Sequence, residues 1–372
     1  MDNQEIKKPP IIKIGAIEWV KSNLFSTWYN AIFTTIGIYV LYSVIPPFFQ
    51  WAVLDAVWSG EDRLVCEWYD ENKVKYKAGA CWLYIKVWLN FFTYGFYPDD
   101  LQWRVNLTFF ILAISVILLF IPNFKKKYYV GIFLFAVYPI IAFFLLSGNE
   151  TLGLDHVMTH KWGGGFLTLL LGLIGIVFAL PLGIVLALGR RSKLPVVKAL
   201  SIMFIEFWRG IPLITVLFFA AVMFPLFVPQ GVEIDNLLRC IVGLTVFGGA
   251  YMAEVVRGGL QALPKGQYEA AQSIGLGYWR MMAMVIMPQA LRIVIPGIVN
   301  TFIGLFKDTT LVFIISMMDL LLTVFTSMSN PDWMGFPFEG YIFTALCFFI
   351  FCFSLSRYSL SVEKKLMVAH HK

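Results

Sequence analysis

The chain has 372 residues, 59% of them hydrophobic and only 14% charged, with a mean hydropathy of +0.74. A soluble domain carries about 25% charged residues, so this composition excludes an ordinary soluble enzyme or scaffold. The net charge of +6 sits in short clusters between apolar runs, which points to membrane topology and away from nucleic acid.

The apolar runs fall near 28–50, 105–121, 130–147, 163–188, 199–227, 237–256, 291–326 and 340–357. A membrane-crossing helix needs about 20 such residues, and no run alternates in the short segments of a membrane β-barrel. Backbone groups in lipid must be satisfied within their own segment, so the expectation is an all-α polytopic membrane protein with about eight transmembrane helices.

The first run, from Trp28 to Phe49, follows a stretch with Lys7, Lys8, Lys13 and Lys21. It is longer than a signal-peptide core and lacks a small-x-small cleavage site, so it reads as a retained span. A long Trp-rich loop, 51–104, comes next and holds Cys66 and Cys81. In an oxidising compartment this pair either forms a disulfide or stays as two free thiols, and the spacing leaves both open. Cys240, Cys347 and Cys352 lie in apolar runs and read as plain hydrophobes.

The short loops alternate in charge. Basic residues mark the N-terminus, 125–127, 190–198, 257–292 and the tail with Arg357, Lys364 and Lys365; the loops 148–162, 228–236 and 329–340 carry acidic residues instead. By the positive-inside rule, eight spans then place both termini in the cytoplasm, with 51–104 outside despite its lysines. His156 and His160, spaced i,i+4 behind Asp155, suit zinc, but their loop offers no third strong ligand and no metal site is expected. A boundary falls near residue 160: residues 1–160 form an extension with three spans and the long loop, and 161–372 a core with five spans and a polar insertion at 257–288.

Within that insertion, Tyr268 to Gly275 starts with good helix formers and reaches a glycine stop. A second, apolar helix is expected from Tyr278 to Met287, ending before Pro288. Its methionines, at 281–287, suit adaptable packing. A helix, a turn and a helix make a rigid knob that can take a push from a soluble partner.

Glu269-Ala270-Ala271, Gly275 and Pro288, with Val285 and Met287 as conservative departures at two apolar positions, resemble the EAA loop of ATP-binding-cassette importer permeases. Further matches run over about 160–365. Gly165 to Leu169, Pro181-Leu182-Gly183 and Ala187-Leu188-Gly189-Arg190 look like the opening span of the polar-amino-acid permease family. Glu206-Phe207-Trp208-Arg209-Gly210-Ile211-Pro212-Leu213, Ala250 to Gly258 and Lys307-Asp308-Thr309-Thr310-Leu311 complete the set. The extra N-terminal spans are similar to those of the longer general L-amino-acid permeases.

The resemblance implies a type I importer core working by alternating access. It implies a second permease chain, an ATPase dimer and a periplasmic amino-acid-binding protein as partners, in a bacterial inner membrane. It also implies a transport subunit without catalytic residues or cofactors of its own, ATP and Mg2+ being held by the ATPase. The chain has no Gly-Lys dipeptide and therefore no P-loop of its own.

Residue by residue, Glu269 would contact the ATPase, Ala270 and Ala271 would keep the helix slim enough to dock, Gly275 would set the turn, and Pro288 completes the motif. The bland alternative is a solvated cytoplasmic helix pair. Asp308 would attract the substrate ammonium near mid-membrane, with Thr301, seven residues earlier on the same helical face, and the hydroxyls of Thr309 and Thr310. The alternative there is a structural pair with a cation on another helix. Relatives often carry Glu at the place of Thr301 and Gln at that of Val216. Pro296-Gly297 would interrupt the helix around a cavity, or simply kink it. Glu206 with Arg209 and Glu254 with Arg257 have i,i+3 spacing and read as ion pairs worth about 0.2–0.5 kcal/mol at a surface, or as a gate. The competing function is an ion-coupled secondary amino-acid transporter acting without an ATPase; no residue set placed for an intramembrane enzyme is found.

Overall fold

Prolines and glycines decide where the apolar runs bend. The computed structural model describes residues 15–69, 75–77, 79–121 and 124–370. Lys7, Lys8 and Lys13 lie outside the described residues. The chain divides into two units, one ending at Leu83 and one starting at Tyr84.

In the first unit, α1 (Ala16–Leu24) leads into α2 (Trp28–Phe49), whose amino end is capped by Thr27 Oγ1 accepting from the Asn30 amide. No residue of α2 is buried, as suits a helix apolar on all sides in lipid. Pro46 and Pro47 sit in its last turn, and it continues directly as a π-helical turn, Gln50–Leu54. The loop beyond is folded onto itself. A two-stranded antiparallel hairpin pairs β1 (Glu67–Tyr69) with β2 (Lys75–Lys77), Glu67 opposite Lys77. Cys66 and Cys81 are joined by a disulfide across a Cα separation of 5.7 Å, inside the usual range. The Trp82 indole donates to the Ala52 carbonyl (2.8 Å).

The second unit contains most of α3 (Trp82–Tyr94), then α4 (Gln102–Phe120), α5 (Lys127–Ile132), which passes through a π turn into α6 (Tyr138–Ser147), and α7 (Gly164–Arg190). Next come α8 (Pro195–Gly210), α9 (Leu213–Phe218) and α10 (Asn236–Ala262). The polar insertion forms α11 (Lys265–Ser273), α12 (Tyr278–Met281) and α13 (Met287–Ile293). The chain closes with α14 (Ile295–Asp308), α15 (Leu320–Met328) and α16 (Pro337–His370). Among the described residues, seven helical stretches are long and apolar enough to cross a membrane, and the bent pair α8–α9 brings the number to eight. The all-α polytopic class and its span number are as expected.

Three expectations need correction. The run at 199–227 is not one rod: α8 and the helical stretch Leu213–Phe227 are bent by 102°. Pro212 cannot donate an amide and forces the residue before it out of the helical region, and Ile211 is extended at φ −105°, ψ 135°. The run at 291–326 is three helices. It breaks at Val294, crosses as α14 plus a 3-10 turn, Thr309–Ile315, and restarts as α15 behind Asp319. Pro296 therefore begins α14, where its missing amide costs nothing, and does not interrupt it. Finally, Pro288 does not end a helix. Met282–Ile286 winds as a π turn ahead of it, the proline falls in the first turn of α13, and the helix runs on to Ile293.

The core is built around α7 and α10. A Cβ on Gly183 would stand 2.7 Å from Met252 Cβ and 2.9 Å from the Ala253 amide, so only glycine allows this approach. Leu167, Leu171, Leu217, Leu244 and Val312 belong to a further cluster of the core. At the amino end of α7, Thr168 Oγ1 accepts from the Leu320 amide at 3.0 Å. Fully buried Asp319 caps α15 by accepting from the Leu321 and Leu322 amides (3.1 and 3.0 Å). This fixes α15 at that end of the bundle.

Candidate functional site

The helix–turn–helix after α10 is two-faced. After Ala262 the chain turns through Leu263-Pro264 into α11. Ala271 (3% exposed) and the ring of Tyr268 face inward, onto a cluster with Ala187, Met252, Val256, Leu260, Met281 and Ile286. Glu269 and Ala270 are exposed. Ala271 thus stands apart from the two residues beside it: it lies under the helix, where its small side chain lets α11 sit close to the core. Gly275 ends the helix in the left-handed region (φ 78°). Its amide bonds the Gln272 carbonyl (2.9 Å) and the Leu276 amide bonds the Ala271 carbonyl (3.2 Å). That is the Schellman arrangement, which satisfies the last orphan carbonyls and strains any residue with a Cβ at Gly275. Pro288 is exposed on the second helix.

The expected ion pairs merge into one cluster. Arg257 meets Glu254 through Nε (2.9 Å) and Nη2 (2.8 Å). Arg209 approaches Glu206 less closely, at 3.8 Å, and lies over the Tyr251 ring at 5.6 Å. Between them stands a residue that spacing within one helix does not reveal. Arg190, the last residue of α7, donates from Nη1 to Glu206 Oε1 and to Glu254 Oε1, both at 2.8 Å. The ends of α7, α8 and α10 are therefore tied by one guanidinium. Arg191 reaches the other way. Its Nη1 donates to the Leu260 carbonyl (2.8 Å) and the Tyr268 hydroxyl (3.0 Å). In sequence, Arg190 reads as the last residue of the opening-span resemblance and Arg191 as part of a basic loop, and neither reading gives a partner.

The intramembrane set is looser. Thr301 and Asp308 both lie on α14 and are partly exposed. The Asp308 carboxylate has no hydrogen bond or salt bridge among the described residues. The hydroxyls expected beside it are turned to their own backbone: Thr301 to the Gly297 carbonyl (3.0 Å), Thr309 to Phe306 (2.7 Å) and Thr310 to Lys307 (2.9 Å). Thr309 is buried at 1% exposure, because the helix tightens into a 3-10 turn there and swings it inward. Val216 is buried against Gly243 of α10. His156 is engaged with the Ser147 carbonyl (2.9 Å).

Comparison with known proteins gives the family. The family model described as binding-protein-dependent transport system inner membrane component matches residues 179–368. The chain is 50% identical over 353 residues to the inner membrane amino-acid ABC transporter permease protein YhdY of Escherichia coli, covering 94% of this chain and 93% of that one. It is 38% identical over 420 residues to the glutamate/glutamine/aspartate/asparagine transport system permease protein BztC of Rhodobacter capsulatus, covering 97% and 96%. Over 201 residues it is 34% identical to the probable glutamine ABC transporter permease protein GlnP of Bacillus subtilis, covering 54% of this chain and 90% of that one.

Proposed function

Because the chain belongs to the binding-protein-dependent transport system inner membrane component family, we propose that it is the permease subunit of an ATP-driven amino-acid uptake system. It is a multi-pass inner-membrane protein. In the proposed assembly it pairs with a second permease chain, stands on an ATPase dimer that holds ATP and Mg2+, and receives substrate from a periplasmic binding protein. The ion-coupled reading has no counterpart among the relatives described above.

The observation that carries this reading is the two-faced α11. Glu269 is offered to solvent on a helix whose inner face is locked to the membrane core, which is what a docking surface for a moving ATPase requires. Both termini lie in the cytoplasm in this reading, supported by the basic loops that share the side of α11. Residues 1–160 act as an extension on a 161–372 core; the family match at residues 179–368, within that core, supports the division. Substrate passes a midplane cavity at which Asp308 meets its ammonium, with Thr301 beside it, as the two permease chains rock between outward and inward states.

The test is uptake of radiolabelled amino acids by cells depleted of ATP while the proton gradient is held. Uptake that collapses supports the ATP-driven reading. Uptake that continues overturns it.

A further inference from the structure

We infer that Arg191 and Tyr268 form a clasp that positions the coupling helix α11 on the membrane core, so that displacement of its Glu269 face is delivered to α7 and α10. The inference rests on the proposed function of α11 and assigns residues that the EAA resemblance leaves out.

Alpha11 has only nine residues and joins α10 through Leu263 and Pro264. So short a helix is held by what it touches. Its apolar contacts, through Tyr268 and Ala271, are non-directional and let it slide or roll. The clasp supplies direction. Leu260 lies in the last turn of α10, where carbonyls lack partners inside the helix. Its oxygen accepts from Arg191 Nη1 at 2.8 Å and from the Tyr268 hydroxyl at 3.0 Å, and that hydroxyl accepts from Arg191 Nη1 at 3.0 Å. The three groups close a triangle joining the ends of α7 and α10 to α11. The Arg191 guanidinium also lies over the Tyr268 ring, 5.4 Å from its centroid.

The neighbouring residue makes the clasp transmit. Arg190 ties the same end of α7 to Glu206 on α8 and Glu254 on α10. Two consecutive arginines thus bind α7 to three other helices: one holds the core, the other holds the part that the ATPase pushes. Arg191 is exposed, so its bonds contribute little to stability and much to relative placement.

The experiment uses the whole transporter, permease pair, ATPase and binding protein, in proteoliposomes. It measures amino acid moved per ATP hydrolysed for wild type, Arg191→Ala and Tyr268→Phe. Tyr268→Phe keeps the ring in the core and removes only the hydroxyl, which guards against misfolding in the larger change. The expected result is an assembled complex with ATP hydrolysis retained and the transport-to-hydrolysis ratio lowered about fivefold or more, the lower end of coupling between two sites. A residue with a merely structural role would lower both rates together and leave the ratio alone. An unchanged ratio in Tyr268→Phe, with wild type coupled, overturns the clasp. Wild type that transports without ATP overturns instead the function on which the clasp rests.

Discussion

Two groups of charges in this subunit are handled in opposite ways. Where α7, α8 and α10 end, Arg190, Glu206, Arg209, Glu254 and Arg257 satisfy one another. In α14, Lys307 and Asp308 have neither salt bridge nor side-chain hydrogen bond among the described residues. A charge held at membrane depth costs about 2.5–3.5 kcal/mol on insertion scales, so it persists where something outside its own helix meets it. Paired charges fix the geometry of a frame. In the proposed function, the unpaired ones are where that frame meets a cargo or a neighbour. The contrast separates residues whose loss should disturb structure from those whose loss should disturb transport alone.

The largest effect tests neither group but the Glu269 face on which the proposed ATPase would act. Glu269→Lys should abolish uptake and detach the ATPase on co-purification. The melting point should stay put, since an exposed substitution shifts stability by no more than about 0.5 kcal/mol. The buried neighbour sharpens this. Ala271→Leu forces bulk under α11 and should cost about 1–3 kcal/mol, whereas exposed Ala270→Leu should leave the melt unchanged. Equal melts for the two would mean that α11 is not seated as described.

The unpaired group comes next. Asp308→Asn removes a charge without breaking any bond, so the melt should be that of wild type while the KM for uptake rises about tenfold, the equivalent of 1.4 kcal/mol. A lower melting point with unchanged KM would make Asp308 a structural ion. In the paired group the pattern should reverse. Arg190→Ala leaves Glu206 and Glu254 facing each other without their shared cation. Solvent screens the exposed Glu206 bond, so most of the loss falls on the more buried bond to Glu254. The melt should fall by several degrees with KM for substrate preserved.

How far these groups were legible in the sequence follows from the range of the signals. The span number and the turn between the two helices rest on local composition, and local physics places them well; the outer bounds, 257 and 288, fall inside α10 and α13. Gly275 is a case in point, since one glycine after a helical run suffices to set the turn. Spacing found Glu206 with Arg209 and Glu254 with Arg257, because i,i+3 partners share a helix face. It could not find Arg190, whose partners lie 16 and 64 residues away, nor the seat of Ala271, which the packing of another helix decides. The bend after Gly210 was written in Gly210 and Pro212 but was outvoted by the apolar run around them. The same happened at Val294 and Asp319, where continuous hydrophobicity concealed two helix ends.

The smallest effect bears on the edge of the unpaired group. The family resemblance implies Thr309 beside Asp308 as a substrate hydroxyl; the 3-10 turn buries it and gives its hydrogen bond to the Phe306 carbonyl. Thr309→Val keeps the shape and deletes that bond. The Phe306 carbonyl still accepts from the Thr309 backbone amide, so the cost should be about 0.5–1.5 kcal/mol, at the low end for a single neutral bond. The KM for uptake should stay within about twofold, a difference below half a kcal/mol. A KM displaced tenfold with an unaltered melt would mean that the end of α14 unwinds during transport and turns Thr309 toward the substrate. The line between structural and transport residues would then run through this turn, and the seven-residue spacing of Thr301 and Asp308 would describe only one state of the cycle.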